Sequence, residues 1–317
     1  MESVLMLIGF GAAAYSIVAN DAIQTLGTFL SSNRERPWWV LWLFAVGILS
    51  AVLLYSWATN DGDVSYGRLS KIPVPETFHW YFVVPPFVLL ALTRIGVPVS
   101  TTFLILTIFA PKNLTSMVTK SGLGYLLAFV LALGVYTLSA ATVEKRFLAT
   151  AKQPPARGWV VLQWASTGFL WSQWLIQDLA NIFVYLPRRL GLGAMLAALC
   201  AMAAMHAYTF YTAGGEIQKI VTSKTNTTDI RAATIVDFLF GIILLVFKEY
   251  SKIPMSTTWV FLGLLAGREI ALTRALGVRP LRETRDLVLR DGGKALAGLA
   301  VSVVLALALP RLAALAG

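Results

Sequence analysis

The stretch "SIVANDAIQTLGTFLSS", residues 16–32, places four polar side chains inside an otherwise apolar run near the N-terminus. These side chains belong to Asn20, Asp21, Gln24 and Thr25. An ionised aspartate at the depth of a lipid bilayer costs several kcal/mol unless it faces a polar cavity or a cation. The stretch therefore predicts a membrane helix that is interrupted by a functional polar site.

The composition indicates a membrane protein. Of the 317 residues, 57% are hydrophobic and only 13% are charged, and the mean hydropathy is +0.71, whereas soluble domains carry about 25% charged residues. We therefore predict an all-α integral membrane protein that contacts the lipid bilayer. The net charge of +10 indicates basic cytoplasmic loops rather than a nucleic-acid partner. Six stretches are long and apolar enough to cross a membrane, namely 3–30, 38–57, 121–143, 158–186, 190–211 and 293–312.

Two motifs recur in the same order at nearly the same spacing. The stretch "LIQDLANIFVYLP" (175–187) matches "VANDAIQTLGTFL" (18–30) when Asp178 is aligned with Asp21, 157 positions earlier. The stretch "KIPMSTTWV" (252–260) matches "GVPVSTTFL" (96–104), with Pro254 at 156 positions after Pro98. This recurrence predicts a duplication, with a first repeat over residues 1–152 and a second over residues 153–317.

The proline motifs break the two remaining apolar segments near their middle. Because proline cannot continue a helix interior, we predict re-entrant hairpins at about residues 78–112 and 230–267. Each repeat would then hold a discontinuous helix, a re-entrant hairpin and further transmembrane helices. Three crossings per repeat is an odd number, so the second repeat must be inverted relative to the first. Inverted-topology repeats with a site at the bilayer midplane are typical of secondary transporters.

The positive charges predict the orientation. In this topology one face of the membrane collects seven Lys and Arg residues and the other collects sixteen, while three of the 26 lie within the hairpins. Since cytoplasmic loops carry the excess of positive charge, both termini are predicted on the extracytoplasmic side of a multi-pass cell-membrane protein.

The repeated acids and amides predict a cation site. Carboxylate, amide and backbone oxygens are hard ligands that suit Na⁺, and the same carboxylates could instead carry a proton. We therefore predict that Na⁺ or H⁺ binds at Asn20, Asp21, Asp178 and Asn181, with sodium at Asp21 and Asp178. The alternative is a set of hydrogen-bonded polar residues that hold helices together.

The two Ser-Thr-Thr turns predict an anion site. Each turn opens a short helix, whose unpaired N–H groups and dipole attract anions. The alternative is ordinary N-capping by serine or threonine. The predicted anion ligands are Ser100, Thr101, Thr102, Ser256, Thr257 and Thr258, together with Gln24 and Gln177. Arg94, Lys252 and Glu249 lie near the turns in sequence and are candidates for balancing charge.

These motifs resemble those of the inorganic phosphate transporter (PiT) family, which includes sodium–phosphate symporters. That family carries a Gly-Ala-Asn-Asp-Val-Ala-Asn-type motif and a Pro-x-Ser-Thr-Thr-His motif in each half. Here the first motif is "VANDAIQTLGT" (18–28) and "IQDLANIFVYL" (176–186), and the second is "PVSTTF" (98–103) and "PMSTTW" (254–259). The histidines of the second motif are replaced by Phe103 and Trp259.

The resemblance implies alternating-access uptake of phosphate coupled to Na⁺ or H⁺, with no other cofactor and with a homodimer as a possible assembly. We therefore expect a transporter rather than an enzyme. The alternatives are a proton-coupled transporter of sulfate or another tetrahedral oxyanion, a membrane-embedded hydrolase that uses the two aspartates as an acid–base pair, and a channel.

Overall fold

The computed structural model describes residues 1–151, 153–222, 228–250 and 255–316, and this part of the chain is helical and contains no β-strand. Six of its helical segments are long and apolar enough to cross a membrane, which confirms the predicted all-α integral membrane protein. These segments are Glu2–Ser32, Trp38–Thr59, Pro111–Ala149, Leu192–Tyr211, Ile230–Phe247 and Leu281–Leu315.

The first predicted repeat contains seven α-helices in the described residues. Short 3-10 turns at Arg68–Lys71, Trp80–Val83 and Pro111–Asn113 connect some of them, and π-helical turns lie at Val18–Ala22, Thr102–Leu106 and Ala140–Glu144. The α-helices are α1 (Glu2–Ile17), α2 (Ile23–Ser32), α3 (Trp38–Thr59), α4 (Val84–Arg94), α5 (Thr107–Phe109), α6 (Leu114–Ser139) and α7 (Lys145–Ala149).

The second predicted repeat contains six α-helices in the described residues. They are α8 (Arg157–Phe183), α9 (Leu192–Tyr211), α10 (Gly215–Thr222), α11 (Ile230–Tyr250), α12 (Thr257–Leu276) and α13 (Leu281–Ala316). Helix α12 packs along α6, and α13 packs against α5 and the π-helical turn before it. Helices of one half therefore pack against hairpin helices of the other, and the halves interlock instead of forming two separate bodies.

The two polar helices differ from the interrupted helices that the sequence predicts. The first continues from α1 into α2 through a single π-helical turn, Val18–Ala22, which holds Asn20 and Asp21. The second, α8, is a regular helix through Gln177, Asp178 and Asn181, so the predicted discontinuity in the second half is wrong. The physical reason is that a continuous helix keeps its backbone groups hydrogen-bonded internally, as an apolar surrounding requires.

The two predicted hairpins have arms of unequal length. Helix α4 has 11 residues and spans about 16 Å, which is roughly half of a bilayer core. Helices α11 and α12 have 21 and 20 residues, which is the length of a full crossing, and of these two helices α11 alone is among the six apolar segments. The predicted end of the second hairpin, residue 267, lies inside α12, because that helix continues to Leu276.

Close helix packing holds α12 against α6. A Cβ atom added at Gly263 would lie 2.3 Å from the carbonyl oxygen of Tyr125, and one added at Gly267 would lie 2.3 Å from that of Phe129. Both distances are too short for any side chain. Two small residues four positions apart allow helix backbones to approach closely inside a membrane. This packing fixes the start of α12, where the second Ser-Thr-Thr turn lies.

We predict that Gly267→Ala destabilises the protein by about 1–3 kcal/mol, because the added methyl group overpacks the helix contact. The measurement is the midpoint of thermal unfolding in detergent. Gly134→Ala on α6 is the matched control, because its Cβ would meet no atom within 4 Å. Equal midpoints for the two variants would contradict the packing argument.

Candidate ion-binding site

Most of the predicted site residues of the π-helical turn Val18–Ala22, α2, α8 and the two Ser-Thr-Thr turns meet in one buried cluster. Asn20, Asp21, Asp178 and Asn181 are each at most 1% exposed. The six hydroxyl residues of the turns are at most 4% exposed. The cluster is therefore closed to solvent, and its polar groups have to satisfy one another.

The two shortest hydrogen bonds to Asp21 come from one amide and one hydroxyl. The Asn20 amide donates to Oδ1 at 2.8 Å, and the Thr101 hydroxyl donates to Oδ2 at 2.5 Å. The Asn20 amide also donates to the backbone oxygen of Val99 at 2.8 Å. This last bond ties the π-helical turn of the first polar helix to the first Ser-Thr-Thr turn.

Asp178 has the same pair of donors. The Asn181 amide donates to Oδ1 at 2.7 Å, and the Thr257 hydroxyl donates to Oδ2 at 2.7 Å. Thr257 stands 156 positions after Thr101, so the hydroxyl donors of the two aspartates are equivalent residues of the repeat. The duplicated sequence thus produces duplicated chemistry at the two carboxylates.

The second threonine of each turn connects the two halves. Thr102 donates to the backbone oxygen of Met255 at 3.1 Å and lies 3.5 Å from Oδ1 of Asp178. Thr258 donates to the backbone oxygen of Val99 at 3.2 Å and lies 3.4 Å from Oδ1 of Asp21. A hydroxyl has one hydrogen, so its shorter contact is its main bond. These two equivalent bonds hold the turns tip to tip.

Both serines cap helices. The backbone N–H of Phe103 donates to Oγ of Ser100 at 3.3 Å, and that of Trp259 donates to Oγ of Ser256 at 3.2 Å. Helix capping is the alternative role that the sequence left open for these turns. The rings of Phe103 and Trp259 pack edge to face, with centroids 5.5 Å apart, so aromatic packing connects the two positions after the turns.

The two glutamines lie in different places. Gln24 faces the cluster, since its amide donates to Oδ1 of Asn20 at 3.2 Å. Gln177 donates instead to the backbone oxygen of Leu244 on α11 at 3.0 Å, and its contact with an anion stays a prediction.

Two side-chain oxygens in the cluster have no hydrogen-bond donor in the described part of the chain. They are Oε1 of Gln24 and Oδ1 of Asn181, which are equivalent residues at an offset of 157. A buried acceptor without a donor carries a desolvation penalty of about 1–3 kcal/mol. Each aspartate therefore has a nearby amide oxygen that is available to a cation.

The structure describes the side chain of one of the three predicted charge-balancing residues. Arg94 is exposed at the end of α4. Lys252, as well as Pro254 of the second turn, lies outside the described residues, as does the side chain of Glu249. A positive charge that the sequence did not single out, Arg68, is 3% exposed and acts electrostatically on Asp178.

No family model matches the sequence, and no curated protein matches it in a sequence search. A search of solved structures finds a protein described as a sodium-dependent phosphate transporter, with a TM-score of 0.59 and 17% sequence identity. The alignment covers 98% of this chain and 99% of that chain. The predicted resemblance is therefore confirmed at the level of the fold: the chain is a multi-pass membrane protein that shares the fold of that structure over its whole length.

We predict that Thr101→Val and Thr257→Val destabilise the protein by similar amounts, about 1–3 kcal/mol each, because each leaves a buried carboxylate oxygen without a donor. Thermal unfolding in detergent at fixed salt measures the loss. Thr59→Val is the control, because that hydroxyl is exposed and donates to Tyr55 of its own helix. A large loss for one variant and none for the other would show that the two carboxylates are not equivalent.

Proposed function

We propose that the protein is a secondary active transporter that imports inorganic phosphate together with a cation, Na⁺ in preference to H⁺. The observation that carries the proposal is the pair of buried carboxylates, each with a threonine donor and a nearby amide oxygen that lacks a donor. The shared fold with a sodium-dependent phosphate transporter supports the same conclusion.

The cations bind at Asp21 and Asp178 in this proposal. Two buried negative charges are stable in a membrane interior only when they are neutralised. Carboxylate oxygens, threonine oxygens and the free oxygens of Gln24 and Asn181 are hard ligands that suit Na⁺. The free oxygen of Gln24 favours a role in cation binding over the anion contact that the sequence predicted for this residue.

The anion binds at the threonine hydroxyls, and the cation controls their direction. Thr101 and Thr257 direct their hydroxyl hydrogens toward the carboxylates. A cation on a carboxylate repels those hydrogens and attracts the hydroxyl oxygens, so the hydrogens are free to donate to a tetrahedral oxyanion. Binding of the cation before the anion follows from this switch, and it provides the coupling that a symporter requires.

The position of the aspartates favours phosphate over sulfate. Sulfate is fully ionised at neutral pH and has no proton to donate, whereas phosphate retains one or two. The carboxylates lie within hydrogen-bond reach of the same hydroxyls that would hold the anion. A carboxylate beside the anion accepts a hydrogen bond from protonated phosphate and repels sulfate.

Alternating access requires the turns to separate. The bonds from Thr102 to Met255 and from Thr258 to Val99 join the two tips, so opening toward either side of the membrane has to break them. We infer that the repeats are inverted and that both termini are extracytoplasmic, because the repeated motifs and the excess of positive charge favour that topology.

We predict that Asp21→Asn and Asp178→Asn each lower gradient-driven phosphate accumulation by about tenfold or more, because each removes a charge that holds the cation. The measurement is uptake of labelled phosphate into proteoliposomes under an inward Na⁺ gradient or an inward H⁺ gradient. Asp61→Asn is the matched control, because this exposed acid pairs with Arg189 on the surface, at 2.7 Å, and its loss should leave accumulation unchanged.

The same assay separates the alternatives. Labelled sulfate accumulated in place of phosphate would support the oxyanion alternative. A phosphate flux that depends on neither the Na⁺ gradient nor the H⁺ gradient would indicate a channel. Formation of a product without accumulation of phosphate would indicate an enzyme. Normal accumulation in both aspartate variants would contradict the assignment of the cation site.

A further inference from the structure

A third buried aspartate lies outside the central cluster. Asp237 on α11 is 1% exposed. Its Oδ1 accepts a hydrogen bond from Thr28 of α2 at 2.5 Å, and its Oδ2 accepts one from Thr167 of α8 at 2.5 Å. The carboxylate therefore stands where three helices meet, with both oxygens bound by hydroxyl groups.

The charge of this carboxylate has no cationic side chain paired with it among the described residues. A buried basic group on a neighbouring helix, Arg268, lies over the ring of Tyr136 at 5.1 Å. Arg268 faces other acids, with Nη1 at 3.3 Å from Glu269 and Nη2 at 3.8 Å from Glu144. Two neutral hydroxyls stabilise a buried anion only in part, because the cost of an unpaired charge in an apolar interior is several kcal/mol.

Polar side chains connect Asp237 to the surface. The Gln163 amide donates to the Thr167 hydroxyl at 3.2 Å, and the Asn33 amide donates to Oε1 of Gln163 at 3.0 Å. Asn33 in turn lines a surface cavity of about 750 Å³, together with Arg34 and Arg36. The side-chain oxygens of Thr167, Gln163 and Asn33 are hard ligands, and these residues connect the buried carboxylate to an open cavity.

Asp237 is also linked to the central site through α2. Asp21, Gln24 and Thr28 follow at intervals of three and four residues, which places them on one face of a helix. Gln24 faces the central cluster, and Thr28, one turn later, contacts Asp237. Helix α2 thus connects the central cluster to Asp237 through Gln24 and Thr28.

The other end of the molecule lacks this arrangement. The residues equivalent to Thr28, Thr167 and Asp237 at the repeat offsets are Tyr185, Phe10 and Tyr81. Tyr185 donates its hydroxyl to the backbone oxygen of Phe82 at 3.0 Å, which is the same kind of contact between the polar helix and the hairpin. The acid is thus present at one end of the duplicated structure and absent from the other.

We propose that Asp237, Thr28 and Thr167 form a second site for a monovalent cation, a sodium ion or a proton, between the central cluster and the cavity at Asn33. The site receives the coupling cation as it leaves Asp21 and gives it to the cavity. Because the site is present at one end of the duplicated structure and not at the other, release of the cation on that side is a separate step. This role rests on the proposed transport function, whereas binding at the site can be tested without transport.

The experiment compares three purified full-length proteins in detergent: the wild type, the Asp21→Asn/Asp178→Asn double variant, and the triple variant that adds Asp237→Asn. Saturation binding of radioactive Na⁺ is measured in one arm, and proton uptake on a pH jump from about 8 to about 5.5 in the other. The double variant should retain one bound cation per chain, and the triple variant should lose it. For a sodium site the loss appears in the sodium-binding measurement, and for a proton site it appears in the proton-uptake measurement.

Equal sodium binding and equal proton uptake by the double and triple variants would overturn the proposal. Adding Asp61→Asn to the double variant is the control for the loss of an exposed acid and should change neither arm. If the triple variant fails to fold, Thr28→Val in the double background removes one ligand. It should weaken sodium binding about tenfold or, for a proton site, shift the pH of proton uptake, and an unchanged result in both arms would again overturn the proposal.

A failure of the proposed function gives a different result. A wild type that binds cations as expected but accumulates no phosphate in proteoliposomes would contradict phosphate transport, and the comparison of the double and triple variants would still decide whether Asp237 binds a cation.

Discussion

The structure depends on keeping two carboxylates in an apolar membrane interior. Asp21 and Asp178 are each 1% exposed, and a single buried charge of this kind costs several kcal/mol when it is not compensated. Each carboxylate is held by one asparagine amide and one threonine hydroxyl. This solution satisfies the hydrogen bonds of the acids. In the proposed function, a bound cation neutralises their charges.

The carboxylates also make the two halves of the chain depend on each other. Asn181 of the second half donates to the Thr101 hydroxyl of the first, at 3.0 Å, and Thr258 of the second half donates to the backbone of Val99 in the first. Neither half can complete its polar site alone. The close approach of α12 to α6 at Gly263 and Gly267 brings the second turn to the position where these bonds form. The packing of the helices and the hydrogen bonds of the polar groups therefore favour the same arrangement.

The composition was sufficient to predict the membrane class, and the duplicated motifs were sufficient to predict most of the residues that meet in the cluster, because side-chain type and spacing are visible in a sequence. Features that depend on the backbone were not visible: the continuity of α8, the length of α12, and the acceptor oxygens of Val99 and Met255. The capping role of Ser100 and Ser256 was one of two possibilities, and only the geometry could show that the capping bonds form. Asp237 was missed because it has no equivalent in the other half, although an acid within the apolar run "TIVDFLFGIILLVF" (234–247) was a signal in its own right.

The central claim is that a cation on the aspartates prepares the threonine hydroxyls for the anion. The most direct test is the affinity of the purified protein for phosphate, measured by calorimetry with Na⁺ or with choline at about pH 8, and with choline at about pH 6. The account predicts phosphate binding that is about tenfold tighter or more when Na⁺ or a raised proton concentration is supplied. Phosphate binding of equal strength in all three conditions would contradict it.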